Sequence, residues 1–269
     1  MKLIAICGPT ASGKTSLAVA CAKVFGGEVV SCDALLVYRG LNIGTAKPTK
    51  EEMEGAPHHL IDIVEPTQNF SVHDFESAAL PVVEAILARG KVPVLCGGTG
   101  FYMNAILFCS GFGHAGGVAA IRETYAPLAA YLGRDYLHSL RRECVPESAE
   151  KLHHNDVKRV IRALEIYELT GCKKSSQTDS FEPRYPYEAF AIDWDRQTLY
   201  ARIHERTQAM LQAGLVEEVK ALQASVPVNA QCMQAIGYKE VVEILKNGDL
   251  HSTMSDIIIY AAGERCINL

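Results

Sequence analysis

The chain has 269 residues, 48% of them hydrophobic and 21% charged, and carries a net charge of −5 at neutral pH. That length closes a full core without disulfide or metal staples, as one large domain or as one domain carrying an insertion, and the acidic balance excludes indiscriminate nucleic-acid binding while leaving room for a local basic groove. No apolar stretch reaches the roughly 18 residues of a membrane span, and no basic leader precedes the first strand, so the expectation is a soluble cytoplasmic protein with no membrane partner.

Residues 3–7, Leu-Ile-Ala-Ile-Cys, read as a buried strand, and residues 16–25 as a helix. Between them stands Gly8-Pro9-Thr10-Ala11-Ser12-Gly13-Lys14-Thr15, the Gly-x4-Gly-Lys-Thr pattern of a P-loop. Glycines at 8 and 13 let the backbone fold back, so that successive N–H groups and the helix N-terminus meet one anion; a diphosphate is the natural guest. Lys14 would place a point charge on the outermost phosphate, and the Thr15 hydroxyl would hold a Mg2+ that bridges phosphate oxygens. The bland alternative is a glycine-rich turn that joins strand to helix.

A second short strand, residues 28–32, ends at Asp33. In an open α/β sheet ligands lie beyond the carboxyl ends of the strands, so Asp33 faces the P-loop crevice, where it can hold magnesium through water or take a proton as a general base; otherwise it caps the following turn. Residues 37–48 have the Gly, Asn and Pro of an irregular loop, with Arg39 and Lys47 placed to meet phosphate or RNA backbone. Residues 57–64 read as a strand entered through His58-His59, a pair more in keeping with structure than with metal ligation. A helix over 72–89 starts at the N-cap Ser71 and stops at Gly90. The strand at 92–96 runs into Gly97-Gly98-Thr99-Gly100, a second glycine-rich turn beside the P-loop, where Thr99 can hydrogen-bond a phosphate or the reacting group.

From residue 119 helical patterns dominate. Residues 112–184 read as a helical insertion within a core made of 1–111 and 185–269, and in it Lys158, Arg159 and Arg162 share one basic helix face, or else pair with Glu165 and Glu168. A strand at 189–193 precedes helices at 196–213 and 215–224; Arg202 and Arg206, four residues apart, could grip a diphosphate from its far side, and Glu217-Glu218 favour the second helix's dipole. Another helix opens at 233–240, and 255–266 looks helical. Nine cysteines without a Cys-x-x-Cys pair read as reduced core residues. The fold class is α/β, a P-loop NTPase-like parallel sheet flanked by helices with a helical insertion domain.

Taken together, Gly-Pro-Thr-Ala-Ser-Gly-Lys-Thr at 8–15, Val-Tyr-Arg-Gly and Ile-Gly-Thr-Ala-Lys-Pro within 37–48, Pro-His-His-Leu-Ile-Asp at 57–62, Gly-Gly-Thr-Gly-Phe-Tyr at 97–102, Arg-Val-Ile-Arg-Ala-Leu-Glu at 159–165 and Ala-Ile-Gly-Tyr-Lys-Glu at 235–240 resemble one family, the tRNA dimethylallyltransferases. The resemblance implies transfer of a dimethylallyl group from dimethylallyl diphosphate to N6 of the adenine 3′-adjacent to the anticodon. It implies Asp33 as base, with Thr99 and Lys14 as catalytic partners, and Gly8, Thr10, Ala11, Ser12, Gly13, Lys14, Thr15 and Arg206 around the diphosphate. It also implies Mg2+ on Thr15 and an anticodon stem loop held by Asp33, Ala34, Leu35, Leu36, Arg122, Lys158, Arg159, Arg162, Gln234, Gly237 and Lys239, on a monomer. The sequence departs from the family at Asp33-Ala34-Leu35-Leu36, where the family carries Asp-Ser-x-Gln, and in the basic Lys-Arg-Gln-x-Thr-Trp stretch, which this sequence lacks. Leu36 thus replaces an amide able to read a base edge. Those departures keep two alternatives open, prenylation of free adenine nucleotides and a non-catalytic RNA-binding descendant; residues 8–15 with Asp33 keep open a third, a nucleotide-binding kinase or ATPase that holds ATP on the P-loop.

Overall fold

The computed structural model describes residues 2–109, 124, 125, 127, 131, 157–170, 182–247, 258 and 259, without the side chains of residues 158, 163 and 166–170. Five strands, β1 (Leu3–Cys7), β2 (Glu28–Ser31), β3 (His58–His59), β4 (Pro93–Cys96) and β5 (Tyr187–Ala191), pair in parallel in the order β3-β2-β4-β1-β5. Ile6 and Ser31 both lie opposite Cys96, so β1, β4 and β2 end at one level and release their following loops into one crevice.

The period of two along each strand explains the layering. Leu3, Ala5, Val30 and Leu95 face helices α2 (Val72–Ala88) and α3 (Gly100–Leu107), packing on Phe75, Ala79, Val83, Ile86 and Ile106. Ile6, Val29 and Val94 face α1 (Lys14–Phe25), through Ala18 and Ala22. The start of α2 is a reciprocal capping box, in which Ser71 Oγ accepts from Asp74 N and Asp74 accepts from Ser71 N, and Gly90 follows its end at φ 71°. A separate cluster, made by residues 37–41 with α6 (Leu215–Gln223) and α7 (Tyr238–Asn247), buries Tyr38, Leu41, Leu215, Val219, Tyr238 and Val241. Before these two helices comes α5 (Arg196–Gln212), and a 3-10 turn at Cys232–Gln234 precedes α7.

The chain divides into two units, Met1–Phe108 with Pro183–Leu269, and Cys109–Glu182. In the second unit α4 (Val157–Thr170) buries Val160, Ile161 and Leu164 against Tyr125. Among the described residues no helix is long and apolar enough to cross a membrane.

Three local expectations change. The strand expected over 57–64 is only His58–His59, because Leu60 and Asp62 turn to φ 63° and 56° and break the extension. The turn at 97–102 becomes the start of α3, with Thr99 at its N-cap. The helix expected from 233 begins at Tyr238, since Ala235 is extended at ψ 150° and Gly237 sits at φ 93°.

At the amino end of β2, Glu28 is buried and receives hydrogen bonds from His59 Nε2 at 2.7 Å, an Arg89 guanidinium nitrogen at 2.7 Å and Lys91 Nζ at 2.9 Å. The other histidine, His58, donates from Nδ1 to Ala56 O, so the pair is structural. Burial alone would raise the Glu28 carboxyl, but Lys91, His59 and Arg89 together hold it at about 2. The folded value lies below the ordinary 4.5, so this carboxylate stabilises the fold above pH 4.5 and the contribution is lost as pH falls towards 2. In urea unfolding the wild type should exceed Glu28→Gln by about 2–3 kcal/mol at pH 7, and the gap should shrink as the pH is lowered to 3. A gap independent of pH would contradict this account.

Candidate active site

The loop between β1 and α1 is built to receive an anion. Gly8 stands at φ 147°, and a Cβ there would lie 2.8 Å from Ile192 O; Ala11 at φ 59° and Gly13 at φ 94° turn successive N–H groups to one side. The N-cap of α1 is Gly13, with no side-chain hydrogen bond and no carboxylate in the first turn, so the positive helix end is left for an exogenous ligand. The loop's carbonyls are held from behind: Trp194 Nε1 donates to Ser12 O at 3.0 Å, and Arg202 Nε to Ala11 O at 2.7 Å. The Arg202 guanidinium lies 5.1 Å from the Trp194 ring centroid. Arg202 therefore braces the loop, while Arg206, four residues on, lies near enough to Asp33 to feel its charge. Lys14 Nζ donates to Gly8 O at 2.9 Å and to Pro9 O.

Asp33 follows β2. Its Oδ1 accepts from Leu35 N at 2.8 Å and Leu36 N at 3.3 Å, which fixes the carboxylate and leaves Oδ2 without a hydrogen bond among the described residues. Beside it Thr99 Oγ1 accepts from Ala34 N at 3.1 Å, and Thr99 N donates to Cys32 O at 3.3 Å, joining the two strand ends. Gly97 makes this approach possible, since a Cβ there would stand 2.0 Å from Cys32 O and 2.4 Å from Cys32 C. A Cβ built on the neighbouring Gly98 would lie 4.0 Å from Lys14 Nζ, so the turn also borders the P-loop.

The electrostatics locate the convergence. Burial pushes the Cys96 thiol up to about 12, with the Lys14 ammonium opposing and Asp33 adding, so both charges are felt at the end of β4. Burial draws the Arg206 guanidinium below its ordinary value, and Asp33 opposes that. Arg206 has one hydrogen bond, to Thr45 O at 3.2 Å, and no ion pair among the described residues. A cavity of about 690 Å³ opens beside the P-loop, bordered by Gly8, Pro9, Gly97–Gly100, Met103, Asp193, Trp194, Arg196 and Tyr200; Asp33, Lys14 and Arg206 do not line it.

This arrangement has known counterparts. The model of the IPP transferase family matches residues 36–262. A tRNA dimethylallyltransferase of Thermoanaerobacter sp. (strain X514) is 44% identical over 252 residues, which cover 91% of this chain and 80% of the relative. The chain belongs to the tRNA dimethylallyltransferase family. A second member, from Symbiobacterium thermophilum, is 45% identical over 248 residues, covering 91% of this chain and 78% of its own. Among solved structures, the full-length tRNA isopentenylpyrophosphate transferase of Bacillus halodurans has a TM-score of 0.71 at 38% identity, covering 99% of this chain and 84% of that one. A eukaryotic dimethylallyltransferase acting on tRNA has a TM-score of 0.82 at 28% identity, covering 99% and 67%.

The other residues singled out for this family fall in several places. Ala34, Leu35 and Leu36 are half-buried beside Asp33. Gln234 is exposed with its amide on Val228 O, Gly237 is buried and donates its N–H to Glu240, and Lys239 is exposed near Glu243. On α4, Arg159 is exposed and Arg162 pairs with the buried Glu165 at 2.8 Å, while Arg122 and the side chain of Lys158 lie outside the described residues. The loop 37–48 spends its cations internally: Arg39 bonds Asp62 O and Glu65, and Lys47 bonds Tyr38 O and Asp62. These bonds close the loop on itself. Sequence reasoning placed Gly97 in a turn without its close approach to Cys32, and missed the brace of Trp194 and Arg202 and the reach of Glu218 into this loop. The single Trp at a strand end was the one local signal.

Thr15 is the residue that would hold a magnesium ion together with the phosphate oxygens of a bound ligand. Among the described residues no three His, Cys, Asp or Glu side chains gather to hold a metal, and the half-buried Thr15 stands in the first turn of α1 beside the anion-facing N–H groups. Few hard oxygens next to a phosphate cradle suit an ion that keeps waters and shares its ligands with a diphosphate. Gly97→Ala should part the Cys32–Thr99 contact, lowering kcat at least about tenfold and costing about 1–3 kcal/mol in thermal unfolding; an unperturbed enzyme would show that this approach is dispensable.

Proposed function

We propose that the chain transfers a dimethylallyl group from dimethylallyl diphosphate to N6 of the adenine 3′-adjacent to the anticodon of tRNA in the cytoplasm. The observation that carries this reading is the convergence of an uncapped helix end, Lys14 and the unpaired Arg206 on the same crevice as Asp33. A nucleotide hydrolase or kinase would use the same four groups; membership of the tRNA dimethylallyltransferase family favours an adenine amine as the acceptor that loses its proton to the fixed carboxylate.

The N6 lone pair is delocalised into the ring and attacks poorly while the proton stays on nitrogen. Asp33, held through Oδ1, takes that proton on Oδ2 as the N–C1 bond forms and the C1–O bond breaks, its electron pair leaving with the diphosphate. Thr99 accepts from Ala34 N, so its own proton is directed outward to the acceptor. Charge that develops on the departing diphosphate meets the loop N–H groups, Lys14 drawn off its carbonyls, and Arg206. Magnesium bound through Thr15 would add further neutralisation of those oxygens. The anticodon stem loop is held through Arg122, Lys158, Arg159, Arg162, Gln234, Gly237, Lys239 and residues 33–36, and the adenine leaves its stack to reach Asp33.

Leu36, an apolar side chain beside the base, favours the second reading, in which the acceptor is a free adenine nucleotide. Incubation with labelled dimethylallyl diphosphate, magnesium and either hypomodified tRNA or AMP and ADP separates them: label should enter tRNA, and preferential labelling of nucleotides would overturn the acceptor assignment. In the same assay Asp33→Ala should lower kcat by about a hundredfold or more with donor KM nearly kept, whereas Lys14→Ala should raise donor KM. Unchanged turnover in the first variant would remove Asp33 from the chemistry.

A further inference from the structure

The loop at 42–46 is bound as tightly as any ligand. The N–H groups of Asn42, Ile43 and Gly44 converge on the carboxylate of Glu218 in α6, at 3.0 Å, 2.9 Å and 3.2 Å, and Tyr238 of α7 donates its hydroxyl to the same carboxylate at 2.6 Å. Burial, and then this bond, push the Tyr238 phenol far above its ordinary value, so it stays a donor throughout the working pH range. The ring lies flush on the loop: a Cβ on Gly44 would stand 2.5 Å from Tyr238 Cε2 and 2.8 Å from Leu215 Cδ1. Thr45 Oγ1 closes the turn on Leu41 O at 2.7 Å, and Ala46 N donates to Ile43 O at 2.9 Å.

What this turn presents is the Thr45 carbonyl, and that carbonyl is the one hydrogen-bond partner of Arg206 among the described residues. A guanidinium has five donors in a planar fork, and its plane follows whatever fixes one of them. Arg206 is half-buried and feels Asp33 only through space; among the described residues it makes no ion pair, and Thr45 O alone fixes one of its donors and so aims the rest. We infer that Glu218, with Tyr238, is a positioning residue for the diphosphate of the prenyl donor, acting through the 42–46 turn and Arg206. The inference rests on the proposed role of Arg206 as a diphosphate ligand. In α6 the same carboxylate would suffice for a dipole effect at any exposed first-turn position, as Glu217 already provides; three converging N–H groups on Glu218 have no such explanation.

The test is a double-mutant cycle with separate kinetics for donor and tRNA. Glu218→Gln keeps the side-chain shape and removes the charge; it should raise donor KM roughly fivefold to tenfold and leave tRNA KM within about twofold. Tyr238→Phe should do the same more weakly, and serves as the readout if Glu218→Gln does not fold. In an Arg206→Ala background, itself raised in donor KM, neither change should add more than about twofold. Independent, multiplicative effects, an unchanged donor KM, or an equal rise in tRNA KM would overturn the inference. If Arg206→Ala alone leaves donor KM unchanged, the diphosphate role of Arg206 fails first, and the positioning role with it.

Discussion

An uncapped helix end that points at open solvent costs little; one that points into a crevice with a desolvated guanidinium nearby must be paired with something negative. The amino end of α1, Lys14 and Arg206 supply that positive excess, and the charge of Asp33 reaches Arg206 and, together with Lys14, the end of β4. Because Asp33 spends Oδ1 on its own turn, it cannot neutralise the crevice by itself. The proposed diphosphate would supply the negative charge that Asp33 does not, and the surrounding architecture holds these groups in place.

The opposite end of the sheet shows the contrast. Glu28 lies on the same strand that delivers Asp33, yet at the amino end both its oxygens are taken up by His59, Arg89 and Lys91. One end of β2 is thus satisfied and steadies the fold, while the other keeps the carboxylate oxygen that the proposed proton transfer would use. Gly97 adds the geometric half of this arrangement, letting the ends of β2 and β4 meet backbone to backbone so that Thr99 and Asp33 cannot drift apart.

Much of this was legible in the residue order, for reasons that are local. The short apolar runs at 3–7 and 28–32 announce buried strands, and Ser71 and Gly90 mark both ends of α2. The short helix α3 was hidden because Tyr102, Met103, Ala105, Ile106 and Leu107 are buried nearly all round, which leaves no periodicity to detect, and because a Gly-Gly-Thr-Gly string reads as a turn. The left-handed Leu60 and Asp62 carry no glycine to announce them. Glu218 was read as a partner for its helix dipole; its true partners lie about 175 residues earlier, a relation that no local pattern encodes. Arg202 and Arg206 share a helix face, yet only a view of Ala11 and Thr45 tells which one braces and which one reaches.

Lys14 resting on the carbonyls of Gly8 and Pro9 has an effect of its own. The loop keeps its cation fastened to itself, so an arriving anion must draw the ammonium away before it gains the attraction. For the proposed diphosphate the resting posture of one lysine thus carries a small cost: two carbonyl contacts are given up before the ammonium reaches the ligand.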